Sequence, residues 1–178
     1  ASITLNHIKG ARVRIGTFKY PGAEEGLQAI HVFDYVNFTT VSNQLLLERF
    51  AQPADANSTP QPTPNADLNK YSRSVGAFRD TGIQVFDTFK TGAWEHSYAA
   101  MIGNGNGLNY GDNDDTFNTY LYWASEQVYG GKGPRRQGLK IFAWTQSGDR
   151  VNPADKTQTQ SRTRTGFGAK YLKKPFRA

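Results

Sequence analysis

The run SRTRTGFGAKYL, residues 161–172, decides the fold. In an extended chain, successive side chains point to opposite faces. Thr163, Thr165, Phe167, Ala169 and Tyr171 then share one face, and Arg162, Arg164, Gly166, Gly168 and Lys170 share the other. The alternation runs too long for a helix and too strictly for a loop, so it predicts a two-faced strand. The same pattern recurs along the chain. In RDTGIQVFDTFK (79–90), Ile83, Val85 and Phe89 oppose Gln84, Phe86 and Thr88. In AWEHSYAAMIGN (93–104), Trp94, Tyr98, Ala100 and Ile102 oppose Glu95, Ser97 and Ala99. Residues 116–129 set Phe117, Thr119, Leu121 and Trp123 against Asn118, Tyr120, Tyr122 and Glu126.

Further strands are expected at Ala11–Tyr20, with Val13 and Ile15 opposite Arg12 and Arg14, and at Gln137–Gln146, ended by Ser147-Gly148-Asp149. Ile30–Phe38 reads as a strand, and Glu24-Glu25 as the acidic opening of a short helix, where acids partner the helix dipole. Thr91-Gly92 is a hairpin break, and Gly130–Arg136 is another. Residues 52–69 hold four prolines and almost nothing apolar, so they form a long loop within a single region spanning 1–178. The expected fold is therefore all-β: an antiparallel transmembrane β-barrel, or a section of one, with eight or nine strands and long polar loops.

The membrane part of that expectation rests on strand length and aromatics. Strands of ~9–11 residues exceed the usual five or six of soluble sheets and match a tilted strand crossing a bilayer. Phe18, Tyr20, Phe89, Trp94, Phe117, Tyr129 and Tyr171 cluster near strand ends, as an interfacial girdle would. Mean hydropathy is −0.64, and no stretch approaches the ~18–20 apolar residues of a membrane helix, which excludes a helical membrane protein but not a barrel. On this register Trp94, Tyr98, Leu121 and Trp123 face lipid or a subunit interface, and Glu95, Ser97, Asn118 and Tyr120 face a lumen.

Chemistry is narrowed by what is missing. With 0 Cys, disulfide frameworks, thiolate metal sites and Cys nucleophiles are excluded. His7, His31 and His96 lack metal-ligand spacing, and His96 and Ser97 point to opposite faces of a strand. The loop GNGNGLNYGDNDD (103–115) lacks the downstream Glu of a calcium-binding hand and reads as a solvated hairpin loop. No catalytic constellation, metal site or cofactor motif emerges, and an enzyme is not expected. The chain opens at Ala1 without a charged-then-apolar leader, as a mature protein or a fragment would.

Charge points to a partner. The formal net charge is +6, and residues 116–178 carry 12 Lys+Arg against 3 Asp+Glu. Arg12, Arg14, Lys140, Arg162, Arg164 and Lys170 lie on strand faces opposite apolar ones. A guanidinium facing hydrocarbon costs ~2–4 kcal/mol at the midplane, so in a barrel these six point inward and are the candidates for an anion pathway. The alternative is that they pair with acids such as Glu95, Glu126 and Asp87 and only hold the wall together.

Five stretches carry a family resemblance in order and spacing: VRIGTFKYPGAEEGL (13–27), TTVSNQLLLERF (39–50), RDTGIQVFD (79–87), WEHSYAAMIGNGNGLN (94–109) and GGKGPRRQGLKIFAWTQSGDR (130–150). Together they make the chain resemble the phosphate-selective porin O and P family of Gram-negative outer membranes. The resemblance implies an antiparallel barrel of about sixteen strands, usually trimeric, that passes small anions such as phosphate through the outer membrane. It places Arg12 and Arg14 where a wall strand enters the constriction. It also implies lipid and two further copies as partners, with no nucleic acid. The chain ends KKPFRA in place of a terminal aromatic strand, so it reads as part of a longer porin. Two other functions remain open. One is a non-conducting outer-membrane scaffold that associates with another component. The other is a soluble anion-binding β-sandwich.

Overall fold

The computed structural model describes residues 1–28, 39–42, 46, 78–105, 115–131, 136–151, 159–174 and 176–177. The expected strand at 30–38, the Pro-rich loop 52–69 and most of the Gly/Asn-rich loop lie outside these residues. Among the described residues eight strands form one sheet: β1 Ser2–Leu5, β2 Arg12–Lys19, β3 Arg79–Thr91, β4 Trp94–Gly103, β5 Asn118–Gly130, β6 Gln137–Val151, β7 Thr159–Lys173 and β8 Phe176–Arg177. Their spatial order is their sequence order, and every neighbouring pair is antiparallel. The chain is thus all-β, an up-and-down sheet of the kind that makes up a section of barrel wall. Among the described residues the sheet is not closed: β1 and β8 stand at its two ends.

Local chemistry explains the hairpins. Between β3 and β4 the turn is only Gly92 and Ala93, and Gly92 has φ 59°, a left-handed value that glycine adopts at little cost. β6 does not stop at Ser147-Gly148-Asp149 as expected; it runs on to Val151, opposite β7 throughout. The ladder to Thr163, Arg162 and Ser161 outweighs the local turn preference, and Gly148 is required for another reason. A Cβ there would collide with the Asn118 side chain of β5. β1 was not expected; its pairing of Ser2–Leu5 with Gly16–Val13 shapes it more than any pattern of its own.

The sheet has two unlike faces. One is bare: Ile15, Ile83, Ile102, Val85, Leu121, Trp123, Ile141 and Phe167 are all exposed, and Phe167 keeps 90% of its surface. Register places these side chains in adjacent rows. Ile15, Ile83 and Ile102 form one row; Tyr98, Trp123, Ala143 and Phe167 form another. Hydroxyls on this face satisfy one another across strands, Thr145 with Thr165 at 3.1 Å and Ser147 with Thr163 at 3.2 Å. Trp94, Tyr98, Leu121 and Trp123 lie on this face, and Glu95, Ser97, Asn118 and Tyr120 lie on the other, in the alternation expected.

The opposite face is covered. Phe18, Tyr20, Leu46, Phe78, Met101 and Tyr120 form a buried cluster, with Ala23 and Trp144 packed against it. The covering groups come partly from the stretch after β2, including the short helix α1, Glu24–Leu27. Tyr20 stacks on Tyr120 at 5.0 Å, and its N–H donates to the Phe78 carbonyl at 2.9 Å. Phe18 and Tyr20, expected in an interfacial girdle, are therefore core residues. Their position near a strand end does not reveal that the chain folds back over the sheet. Phe89, Phe117 and Tyr129 remain exposed, and Tyr129 packs edge-on against Tyr171 at 6.5 Å. Among the described residues no helix is long and apolar enough to cross a membrane.

Candidate anion-binding face

All six basic residues singled out from the sequence take the covered face, but they do not form one ladder. Successive pairings trace transverse rows across it. Arg14, Gln84, Met101, Tyr120, Gln146 and Arg164 make one complete row from β2 to β7. The next row in one direction ends in Gly148 and Arg162. In the other direction lies a row from Arg12 through Phe86, Ala99, Tyr122 and Trp144 to Gly166. Two rows further comes a charged row: Lys90, Glu95, Glu126, Lys140 and Lys170. Four strands, β3 to β6, thus lie between Arg12 and Arg14 and the pair Arg162 and Arg164.

Several of these cations are already engaged. Arg12 donates to Asp87 Oδ1 from Nε at 3.0 Å and from Nη2 at 2.7 Å. Asp87 sits opposite Tyr98 in a row of the bare face, so it is not the inward-facing acid the sequence suggested. Arg12 reaches it at the end of β2. Arg14 donates to Thr4 Oγ1 at 3.2 Å and lies over the Phe86 and Phe18 rings at 4.6 and 5.5 Å. Such stacking fixes a guanidinium without neutralising it. Lys140 pairs with Glu24 at 2.6 Å. Lys170 is half-buried beside it in the charged row.

Arg162 and Arg164 are half-buried at the far side of the same face. Arg164 donates to the Leu46 carbonyl at 3.5 Å. Tyr20 lies within their field: burial pushes its phenol up to about 12, against the pull of Arg164 and Arg162. The Tyr20 hydroxyl, Gln84 Oε1 and Gln146 Oε1 are buried without a hydrogen-bond partner among the described residues. Asp80, 1% exposed, accepts from Tyr120 at 2.6 Å and from the Gly105 N–H at 2.9 Å. Arg162, Arg164, the Tyr20 phenol and Gln146, which pairs with Arg164 across strands, therefore share one polar stretch, and their N–H and O–H groups are donors suited to a small oxyanion.

Four contributors were not legible as site residues. Arg136 grips Glu126 with Nε at 2.8 Å and Nη2 at 2.6 Å, and reaches Glu95 at 2.6 Å. Directly opposed carboxylates on paired strands repel, and this guanidinium holds them together. Glu24 and Arg136 sit outside the expected strands, so no periodicity marks which way they point, and Tyr20, at the end of the expected strand Ala11–Tyr20, reads there as a girdle aromatic. Gln146 does alternate with the strand, but a neutral amide carries no signal by itself. His96 bonds Ser125 on the neighbouring strand at 2.9 Å rather than adjacent Ser97. Among the described residues no set of His, Cys, Asp or Glu is placed to hold a metal. Compared with family models, curated proteins and solved structures, the chain matches none.

Proposed function

We propose that the chain forms wall strands of a passive outer-membrane channel for small anions such as phosphate, similar to the phosphate-selective porins. The covered face lines the anion path, and the bare face meets lipid or a neighbouring copy in a trimer. One observation carries this reading: a single sheet leaves a broad apolar face exposed and puts Arg12, Arg14, Arg162 and Arg164 on the other. In water such a face is an aggregation liability; in hydrocarbon it is the required surface. Its height fits as well. From Ile102 to Trp94 on β4 the bare face spans about 27 Å along the strand at ~3.4 Å per residue, or roughly 20 Å across a bilayer at barrel tilt.

A β-sandwich would bury the apolar face under a second sheet, and the described strands form only one. The scaffold reading keeps one supporting observation: the buried cluster from Phe18 to Tyr120 fills part of the covered face. Reversal potentials in planar bilayers under a salt gradient separate the two. A channel gives an anion-selective potential, and a scaffold gives no current. A protein that stays monodisperse in buffer without detergent overturns both membrane readings.

A further inference from the structure

The helix that folds over the covered face carries two adjacent acids, and the structure separates their roles. Glu25 turns to Thr39, accepting from its hydroxyl at 2.9 Å and its N–H at 3.3 Å. Glu24 turns to the sheet. Its Oε1 accepts from Lys140 Nζ at 2.6 Å and from the Tyr122 hydroxyl at 2.7 Å, joining α1 to β6 and β5. The Lys140 ammonium also lies 5.8 Å from the Tyr122 ring centre. Both charged side chains are largely covered, at 23% and 16% exposure. An ammonium and a phenol converging on one oxygen are the donors that would hold a phosphate oxygen.

The geometry points to Glu24 as a tethered competitor for the anion path. Its carboxylate occupies Lys140 and Tyr122 in the place of a diffusing oxyanion, and so weakens the capture of such anions at that level. The inference rests on the reading of this face as an anion path. The stretch carrying Glu24 is held by contacts that do not involve it. Lys19 Nζ donates to the Gln28 carbonyl at 2.8 Å, Tyr20 stacks on Tyr120, and Gly26 packs so close to the Phe78 ring that a Cβ would lie 2.8 Å from it. Removing the charge at Glu24 therefore frees Lys140 without releasing the segment. The competitor is the carboxylate, not the segment as a whole.

The test is Glu24→Gln in the full chain, folded in detergent micelles and exposed to an anionic amine-acetylating ester. Acetylation of Lys140 is read by mass spectrometry, with exposed Lys173 and Lys174 as internal references. A unit charge removed at contact distance changes the local anion concentration roughly fivefold even in a water-like dielectric. Lys140 labelling should rise by about that factor in Glu24→Gln. Inorganic phosphate should then slow it in the variant far more than in the parent. Glu25→Gln, which removes the neighbouring charge that turns to Thr39 and leaves the Glu24–Lys140 pair in place, should label like the parent. Unchanged Lys140 labelling in Glu24→Gln, or equal protection by phosphate in both proteins, overturns the proposal. In planar bilayers Glu24→Gln should be the more anion-selective pore. A parent without anion preference ends the channel reading, and the labelling still decides whether Glu24 shields Lys140.

Discussion

Phe167→Arg puts the membrane reading at risk most directly. Phe167 is 90% exposed and lies near the middle of the bare-face side of β7, between Thr165 and Ala169. With so little packing to lose, its replacement reports almost only on what surrounds it. Against lipid at mid-depth, arginine costs ~2–4 kcal/mol, a factor of roughly thirty to a thousand in the folding equilibrium. Against water it costs nothing comparable, because exposed substitutions stay within about 0.5 kcal/mol. The reference is Phe167→Ala, which removes the ring without adding charge. Tyr171→Arg adds the same charge at the strand end, beside Tyr129, where depth dependence reduces the cost to ~0–1 kcal/mol. The assay is reversible guanidinium unfolding in phospholipid vesicles, followed by tryptophan fluorescence. Phe167→Arg should be the least stable of the three by several-fold. Equal stabilities for Phe167→Arg and Phe167→Ala would refute the placement of this face in hydrocarbon.

Three other outcomes are expected. Arg162→Ala with Arg164→Ala removes two cations from the face beside Tyr20 and should lower the anion-to-cation permeability ratio by roughly threefold or more, measured as a reversal potential with the sheet intact by circular dichroism. Tyr20→Phe deletes a buried hydroxyl that has no partner among the described residues and should be neutral or slightly stabilising, whereas Tyr120→Phe takes a donor from buried Asp80 and should cost ~1–3 kcal/mol in denaturant unfolding. Gly92→Ala forces a methyl group into a left-handed turn and should cost ~1–2 kcal/mol, while Gly130→Ala, with open space around it and no positive φ, should change the unfolding midpoint little.

The strands and their faces were legible because the signal is local. A side chain two residues along a strand returns to the same side whatever the rest of the chain does. Residues 161–172 therefore declare both the strand and its sidedness. The same rule placed Arg14, Lys140 and Arg164 together on one face, and Trp123 and Phe167 on the other. Where a local turn signal competed with long-range pairing, as at Ser147-Gly148-Asp149, the ladder to β7 prevailed and the sequence reading fell short.

Which charges meet was decided by tertiary structure. Spacing places a Cα, but a lysine or arginine reaches several ångströms beyond it, and its partner is chosen by what folds nearby. Lys140 lies on the face expected of it, and its partner there is Glu24, 116 residues earlier in the chain, an acid that spacing does not point to. Arg12 found Asp87 from the opposite face, and Arg136 found two opposed carboxylates from a turn. Tyr20 looked like an interfacial aromatic until the chain after β2 folded back and buried it against Tyr120. Alternation along a strand is a property of consecutive residues, and the sequence by itself determines it. Segments without periodicity take their direction from the surface they cover, and that surface exists only once the sheet has formed.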